Sequence, residues 1–452
     1  MSIDIETYRL KAQEAIEYVF VKEYHNSLGI PMPIVKMLLP DDANYSTGQY
    51  YITIDKTWQI HLNFGKLPIS YHEFQNEVKV LTRHEIEHYM CCPFDVITHF
   101  RMLKRIRDVY YKHFSHLGIN IEYACGAISN QAADIIVDTK NYYRHSKETL
   151  KSEIDWIKIG ANISACPRHC KLMFLTKEAI WKEDLGINET DPEFLKIVHQ
   201  LADSFTKNGI EDKSSFLDKV EEYAEIFFKL YVEDQKNPQQ SSQQGSQQQN
   251  GQQGSQQQSG QWGVGRPKDG DEHGNAFVFA DPDKVKEAIE VLAEETSVEE
   301  FIDLLAIAGI IGMSDKQKGV LWFNVQSANI IPIVEFSNTG NKSSYTYPSV
   351  WRIGDPIEEL DLMLTYMTSP RLIPGMTTKK WGYVSNDDNG TESKQMDLLL
   401  VVDTSGSMGS AMKESANMHQ AVLASYGILS YFESTKSKVA FIGFSDKIDA
   451  YE

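Results

Sequence analysis

The segment that most limits what this chain can become is one that cannot form a core. From Gln239 to Gln261 the sequence consists only of Gln, Ser, Gly and Asn. With no apolar side chain to offset the entropy of ordering, such a tract is expected to be a flexible tether. Its Gly and Ser interruptions favour a linker over a glutamine-driven aggregation segment. The 452 residues are enough for two or three domains, since each normally takes about 100–200 residues. The expected division is a domain at 1–235, the linker at 236–275, a helical and irregular connecting region at 276–390, and a C-terminal segment at 391–452.

Upstream of the tether the pattern is mostly helical. Tyr8, Ala12, Ala15, Ile16 and Val19 recur at three-and-four spacing, the mark of an amphipathic helix. Two short β-rich runs, Tyr50–Asp55 and Trp58–Phe64, read as a hairpin. Four helices are expected next: one carrying HEIEH, one from about Phe94 to His116, one carrying SNQAADIIVDTKNYYR, and one started by Asp191 and Pro192. Downstream, Asp281 and Pro282 open a helix, and SVEE at Ser297–Glu300 is a capping box for another that Gly309 can end. Asn324 to Val384 reads as irregular, and DLLLVVDTSGSMG gives an apolar strand entering a hydroxyl-rich loop.

Composition excludes several roles. Acidic residues outnumber basic ones by 63 to 44, a net charge of −19, so the overall field repels phosphate backbones and nucleic acid is a poor partner. The one basic run, Arg101, Lys104, Arg105 and Arg107, reads as a solvated helix face. Five cysteines are too few for a disulfide framework and imply reduced thiols in a cytoplasmic protein. MSIDIETYRL lacks the basic and apolar regions of a secretory leader. The most apolar run, FIDLLAIAGIIGM, contains an aspartate and falls short of the roughly 20 residues that span a bilayer.

HEIEH carries the first chemistry. Residues four apart on a helix share a face, so His84 and His88 can offer imidazole nitrogens to one ion. Glu85 between them can hold a water and take its proton, the division of labour in zinc-assisted hydrolysis. The alternative is an ordinary helix with two histidines on one side. A catalytic zinc needs a third protein ligand and an open position. Phe94 stands where metzincins place a third histidine, so that pattern is absent. His99, His113 and His116 are lesser alternatives, lone histidines on helices being more often structural.

A better candidate is the series Asn130, Asp134 and Asp138, which recurs every four residues. It resembles the gluzincin arrangement, in which a downstream helix supplies an acidic ligand and a supporting aspartate in a Glu-x-x-Ala-Asp pattern. Asn130 occupies the glutamate position, and an amide is a weak zinc ligand, so the resemblance moves the role to Asp134, with Asp138 or Asn130 as alternatives. Cys91, Cys92, Cys166, His169 and Cys170 could form a second, structural zinc site, but their spacing lacks a Cys-x-x-Cys pair and favours core thiols.

VVDTSGSM, Val401–Met408, places Asp-x-Ser-x-Ser between an apolar strand and a helix. This resembles the metal-ion-dependent adhesion site of von Willebrand factor A domains, which are doubly wound α/β folds. The resemblance implies that Asp403, Ser405 and Ser407 hold Mg²⁺ as a docking device. The chain ends at Glu452, before the further βα units and the later threonine and aspartate of that family, so the domain is expected to be truncated or completed by another chain. HEIEH, NQAAD, the tether, WRIGDP (Trp351–Pro356) and DTSGSM together look like bacterial metallopeptidase-like proteins with a C-terminal von Willebrand factor A-like domain.

That resemblance implies an α+β protein: a mostly helical, zincin-like N-terminal domain and an incomplete, doubly wound α/β C-terminal segment. It implies a zinc metalloendopeptidase acting on polypeptide in a multi-component complex, in conflict or antiviral systems, with a MoxR-type AAA+ ATPase as associate. The alternative it leaves is a non-catalytic, metal-dependent adaptor that recruits partners to that ATPase.

Overall fold

The structure is a computed structural model describing residues 5–42, 45, 50–54, 58–64, 70–159, 163, 166–236, 281–310, 313–330, 343–369, 371–385, 397–434, 438–445 and 448–451. Its architecture is α+β, mostly helical with three small sheets among the described residues. It divides into two compact units, Met1–Val325 and Gln326–Glu452. The tract Gln239–Gln261 lies outside the described residues.

The first unit begins with α1 (Ile5–Glu17), β1 (Ile34–Met37), β2 (Tyr50–Ile54) and β3 (Gln59–Phe64). Then come α2 (Tyr71–Met90), α3 (Val96–Val109), α4 (Ile121–Ile159), α5 (Arg168–Trp181), α6 (Pro192–Thr206) and α7 (Phe216–Lys236). The stripe Ala12, Ala15, Ile16 and Val19 is fully buried in one cluster with Ile60 and Leu62 of β3 and Phe74 and Val78 of α2. Each such aliphatic or aromatic side chain contributes about 1.5–3 kcal/mol on burial. β3 is central, antiparallel to β2 with Ile52 opposite Leu62, and parallel to β1 with Val35 opposite Ile60. The hairpin was visible as alternation; β1 is only four residues long and carries no such signal.

The helices start where their caps are. Ser70 accepts from the Glu73 N–H, Asp95 from Thr98, and Asp191 from Glu193 and Phe194. α2 and α4 run antiparallel, and a buried ionic seam fixes their register. Arg83 pairs with Glu148 and, at 2.6 Å, with Glu23. One turn on, the fully buried Glu87 receives Lys140 at 2.8 Å, Arg144 at 2.9 Å and the Tyr24 hydroxyl at 2.9 Å.

The basic face of α3 is only partly solvated: Arg101 and Arg105 keep 41% and 45% of their side chains exposed, while Lys104 and Arg107 are more enclosed. Two helices beyond the tract, α8 (Pro282–Glu294) and α9 (Val298–Ile307), pack on α3, α9 also touching α4, and both lie in the first unit. Arg101 meets Glu295 at 2.5 Å, Lys104 meets Glu300 at 2.8 Å, and Arg107 meets Asp303 at 2.7 Å and Glu300 at 3.3 Å. Arg105 pairs with Glu221 of α7 at 2.8 Å. Leu292, Phe301, Leu304 and Leu305 are buried beside these pairs. Gly309, at φ +73°, ends the segment after α9. The next helix, α10 (Asp315–Ile330), buries Trp322, whose Nε1 donates to the Thr296 carbonyl at 3.0 Å.

In the second unit, β4 (Ser343–Val350), β5 (Leu360–Asp361), α11 (Leu362–Thr368) and β6 (Lys379–Ser385) form an antiparallel sheet of order β4-β6-β5. It lies inside the stretch that read as irregular, because β4 is interrupted by a register shift between Tyr345 and Pro348 and β5 is two residues long. WRIGDP closes on itself: Trp351 Nε1 donates to the Pro356 carbonyl at 2.9 Å, and the Arg352 N–H to Asp355 at 2.8 Å. β7 (Leu398–Asp403), α12 (Asn417–Ser434), β8 (Val439–Phe444) and β9 (Ile448–Tyr451) follow, with β7 parallel to β8 and β9 antiparallel to it.

Phe301→Ala is expected to destabilise the first unit by about 3–5 kcal/mol, read as a lower denaturant midpoint for that unit. An unchanged midpoint would mean that α9 is not part of the cooperative core.

Candidate metal centre

The helical period puts His84 and His88 one turn apart on the face of α2 that meets α4, and puts Asn130, Asp134 and Asp138 on the facing stripe. The antiparallel register then matches His88 to Asp134 and His84 to Asp138. His84 Nε2 and His88 Nε2 stand 3.1 Å apart, and Asp134 Oδ1 lies 3.3 Å from His88 Nε2 and 3.6 Å from His84 Nε2. Among the described residues these three form the one group of His, Cys, Asp and Glu side chains with metal-holding spacing.

The other nitrogens fix the tautomers. His88 Nδ1 sits 2.9 Å from the Cys92 carbonyl, and His84 Nδ1 sits 2.6 Å from Asp138 Oδ1. Both partners only accept, so each Nδ1 donates and each neutral ring presents a lone pair at Nε2. Asp134 Oδ1 is buried and accepts no hydrogen bond, while Asn130 Nδ2 donates to Asp134 Oδ2 at 3.0 Å. Three electron-rich atoms thus converge on one point, an arrangement that repels itself unless a cation or proton lies between them. Atoms held about 2.0–2.1 Å from a tetrahedral zinc lie about 3.3 Å from one another, so the donor set fits such an ion and leaves a fourth position.

Without a metal, the proton takes that place. Burial disfavours a charged His84, but the charge and hydrogen bond of Asp138, with Asp134 and Glu85 adding, hold its pKa up at about 10. Glu85 is itself buried on α2, close enough for its charge to act on both His84 and Tyr89. Burial, with His88 adding, pushes His99 down to about 4, which keeps that ring neutral. His84 and Asp134 are 18% and 14% exposed at the side chain against 2% for His88, so the site opens on their side.

Asp138 is not in the converging set: one oxygen is on His84 Nδ1 and the other is 2.5 Å from Lys177 Nζ. Asn130 acts one step further out, on Asp134. His113 and His116 are exposed near the end of α3. Lys177, which also meets Glu153 at 2.9 Å, carried no site signal in the sequence beyond a lysine among the buried residues Met173, Phe174 and Thr176 of α5. The five cysteines are free thiols, four of them buried. His169 Nδ1 donates to the Asp234 carboxylate at 2.8 Å and joins no cysteine cluster of metal-holding spacing among the described residues.

In the second unit the DTSGS loop leaves the carboxyl end of β7. Asp403 Oδ1 accepts the Ser405 N–H at 2.8 Å, and the Ser405 and Ser407 hydroxyls are 2.9 Å apart. The hydrogen bonds from Ser405, backbone first, hold the Asp403 carboxyl below its ordinary value. Gly409 needs its φ of +77°, and a Cβ there would meet that of Ala416 at 3.0 Å. The three side chains therefore form one oxygen-lined turn.

No family model, curated protein or solved structure matches the chain. Among the described residues, no helix is long and apolar enough to cross a membrane.

Equilibrium dialysis against Zn²⁺ is expected to load a single ion per chain in the first unit, with His88→Ala and Asp134→Ala each abolishing tight uptake. Retention of wild-type uptake by both variants would exclude this cluster as the site.

Proposed function

We propose that the chain is a zinc-dependent metalloendopeptidase of zincin-like design, acting on polypeptide in a bacterial multi-component complex and carrying a von Willebrand factor A-like docking module. The observation that carries this reading is the convergence of His84 Nε2, His88 Nε2 and the unbonded Asp134 Oδ1, with both Nδ1 atoms already committed. Zinc bound there would supply Lewis acidity and lower the pKa of water toward about 7.

The protein's own groups do the rest. Glu85 is the general base, receiving the proton of the attacking water and returning it to the leaving amine. His84 and His88 hold their orientation through Asp138 and the Cys92 carbonyl. β2 has one strand neighbour among the described residues, so an extended substrate can add to that edge. Trp58, just before β3, meets Tyr89 of α2 edge-on at 5.5 Å, which ties the sheet to the motif helix.

The Asp403–Ser405–Ser407 turn offers hard oxygen atoms suited to Mg²⁺. On the resemblance noted above, it docks an acidic group of a partner, with a MoxR-type AAA+ ATPase as the associate.

Glu85→Gln is expected to keep its zinc while losing about 10²–10⁴-fold in cleavage of unfolded polypeptide, read by mass spectrometry of the products with the partner ATPase present. If wild type and variant both carry zinc and are equally inert, the chain is an adaptor and not a peptidase. Asp403→Ala is expected to remove Mg²⁺-dependent retention of the ATPase in a pull-down and to leave the zinc content unchanged.

A further inference from the structure

Asp138 could serve the metal in two ways: as a ligand, or as the acceptor that orients His84. Its environment decides between them. Oδ1 is 2.6 Å from His84 Nδ1, and Oδ2 is 2.5 Å from Lys177 Nζ, so both oxygens are engaged. Lys177 comes from a different helix, α5, is 2% exposed, and is held from its far side by Glu153 Oε1 at 2.9 Å. A buried ammonium is costly in itself, and an apolar side chain of similar volume would usually serve stability as well or better. Its presence beside the carboxylate that orients a metal-facing histidine is the observation that needs a reason.

We propose that Lys177 is a positioning residue of the metal centre: braced by Glu153, it pins Asp138 on His84 Nδ1 and prevents Asp138 from becoming a further ligand, which preserves the open coordination position. The inference rests on the metal-centre reading above. Without Lys177, Asp138 Oδ2 would lose the ammonium that holds it, and that ammonium is also what separates it from the Glu153 carboxylate. Asp138 would then be free to turn toward the ion. That change removes the fixed acceptor from His84 Nδ1, and outer partners of this kind typically alter metal affinity about 10–100-fold.

The test uses the full chain, with Zn²⁺ affinity from competition with a chromophoric chelator and coordination from the visible absorption of the Co²⁺-loaded protein. Lys177→Met is expected to weaken zinc binding about 10–100-fold and to change the Co²⁺ spectrum. In an Asp138→Asn background the same substitution should add no further loss, because the two act as one unit. Lys171→Met is the control: Lys171 is also a buried lysine of α5, paired with Glu189 at 2.8 Å. It should lower the unfolding midpoint while leaving affinity and spectrum alone.

Wild-type affinity and an unchanged spectrum in Lys177→Met overturn the proposal, as does an equal loss in Lys171→Met or a fully additive loss in the Asp138→Asn background. Should Lys177→Met not fold, Lys177→Gln, which keeps a donor but no charge, decides by the same readouts. If wild type takes up neither metal, the metal-centre reading fails and this inference with it; if wild type binds both and Lys177 is without effect, this inference fails alone.

Discussion

The first unit is organised around an electrostatic conflict: two imidazole lone pairs and a carboxylate oxygen directed at one another in a buried place. Such an arrangement survives only if its supports are stiff. They are supplied by the antiparallel contact of α2 and α4, where Arg83 and Glu87 find their partners on α4 as the histidines meet the aspartates. A helix turns about 100° per residue, so a slip of one position would carry His84 and His88 away from the aspartate stripe. The ionic seam raises the penalty for that slip, since the buried Arg83, Glu87 and Lys140 would be left unpaired.

The two candidate ion sites differ in chemistry. The first combines imidazole nitrogen with a carboxylate, a donor set suited to zinc and its neighbours among the transition metals. The second offers a carboxylate and hydroxyls on an open turn, where a hard, strongly hydrated cation fits better. The supports differ in kind as well. The first relies on side chains from three long helices, whereas the second is shaped by contacts between neighbours in one loop, which Thr404 ties to the Phe444 carbonyl of β8.

What could be read from the residues alone follows from the range of the interaction that decides it. His84 with His88, and Asp134 with Asp138, share a helix face because of the local period. The same locality exposed the caps at Asp191, Asp281 and Ser297, all of which accept backbone N–H groups. The pairing of one helix with another is long-range and leaves no such trace. Hence Lys177 could not be connected to Asp138, nor Arg101, Lys104 and Arg107 to the acidic partners they meet nearly two hundred positions later. The β4-β6-β5 sheet was hidden for a different reason: Pro348 and a register shift erase the alternation that marks a strand.

The docking of α9 on α3 has a consequence for biosynthesis. Translation delivers α3 first, and its unmatched arginines must wait for the glutamine-rich stretch and the acidic helices to emerge. At about 5–20 residues per second that delay is on the order of ten seconds or more. Once both partners exist, the long connection between them is a small handicap, because doubling a loop adds only about 0.6 kcal/mol to its closure. The vulnerable period is therefore vectorial synthesis, when a cationic and partly apolar face stands open to other chains.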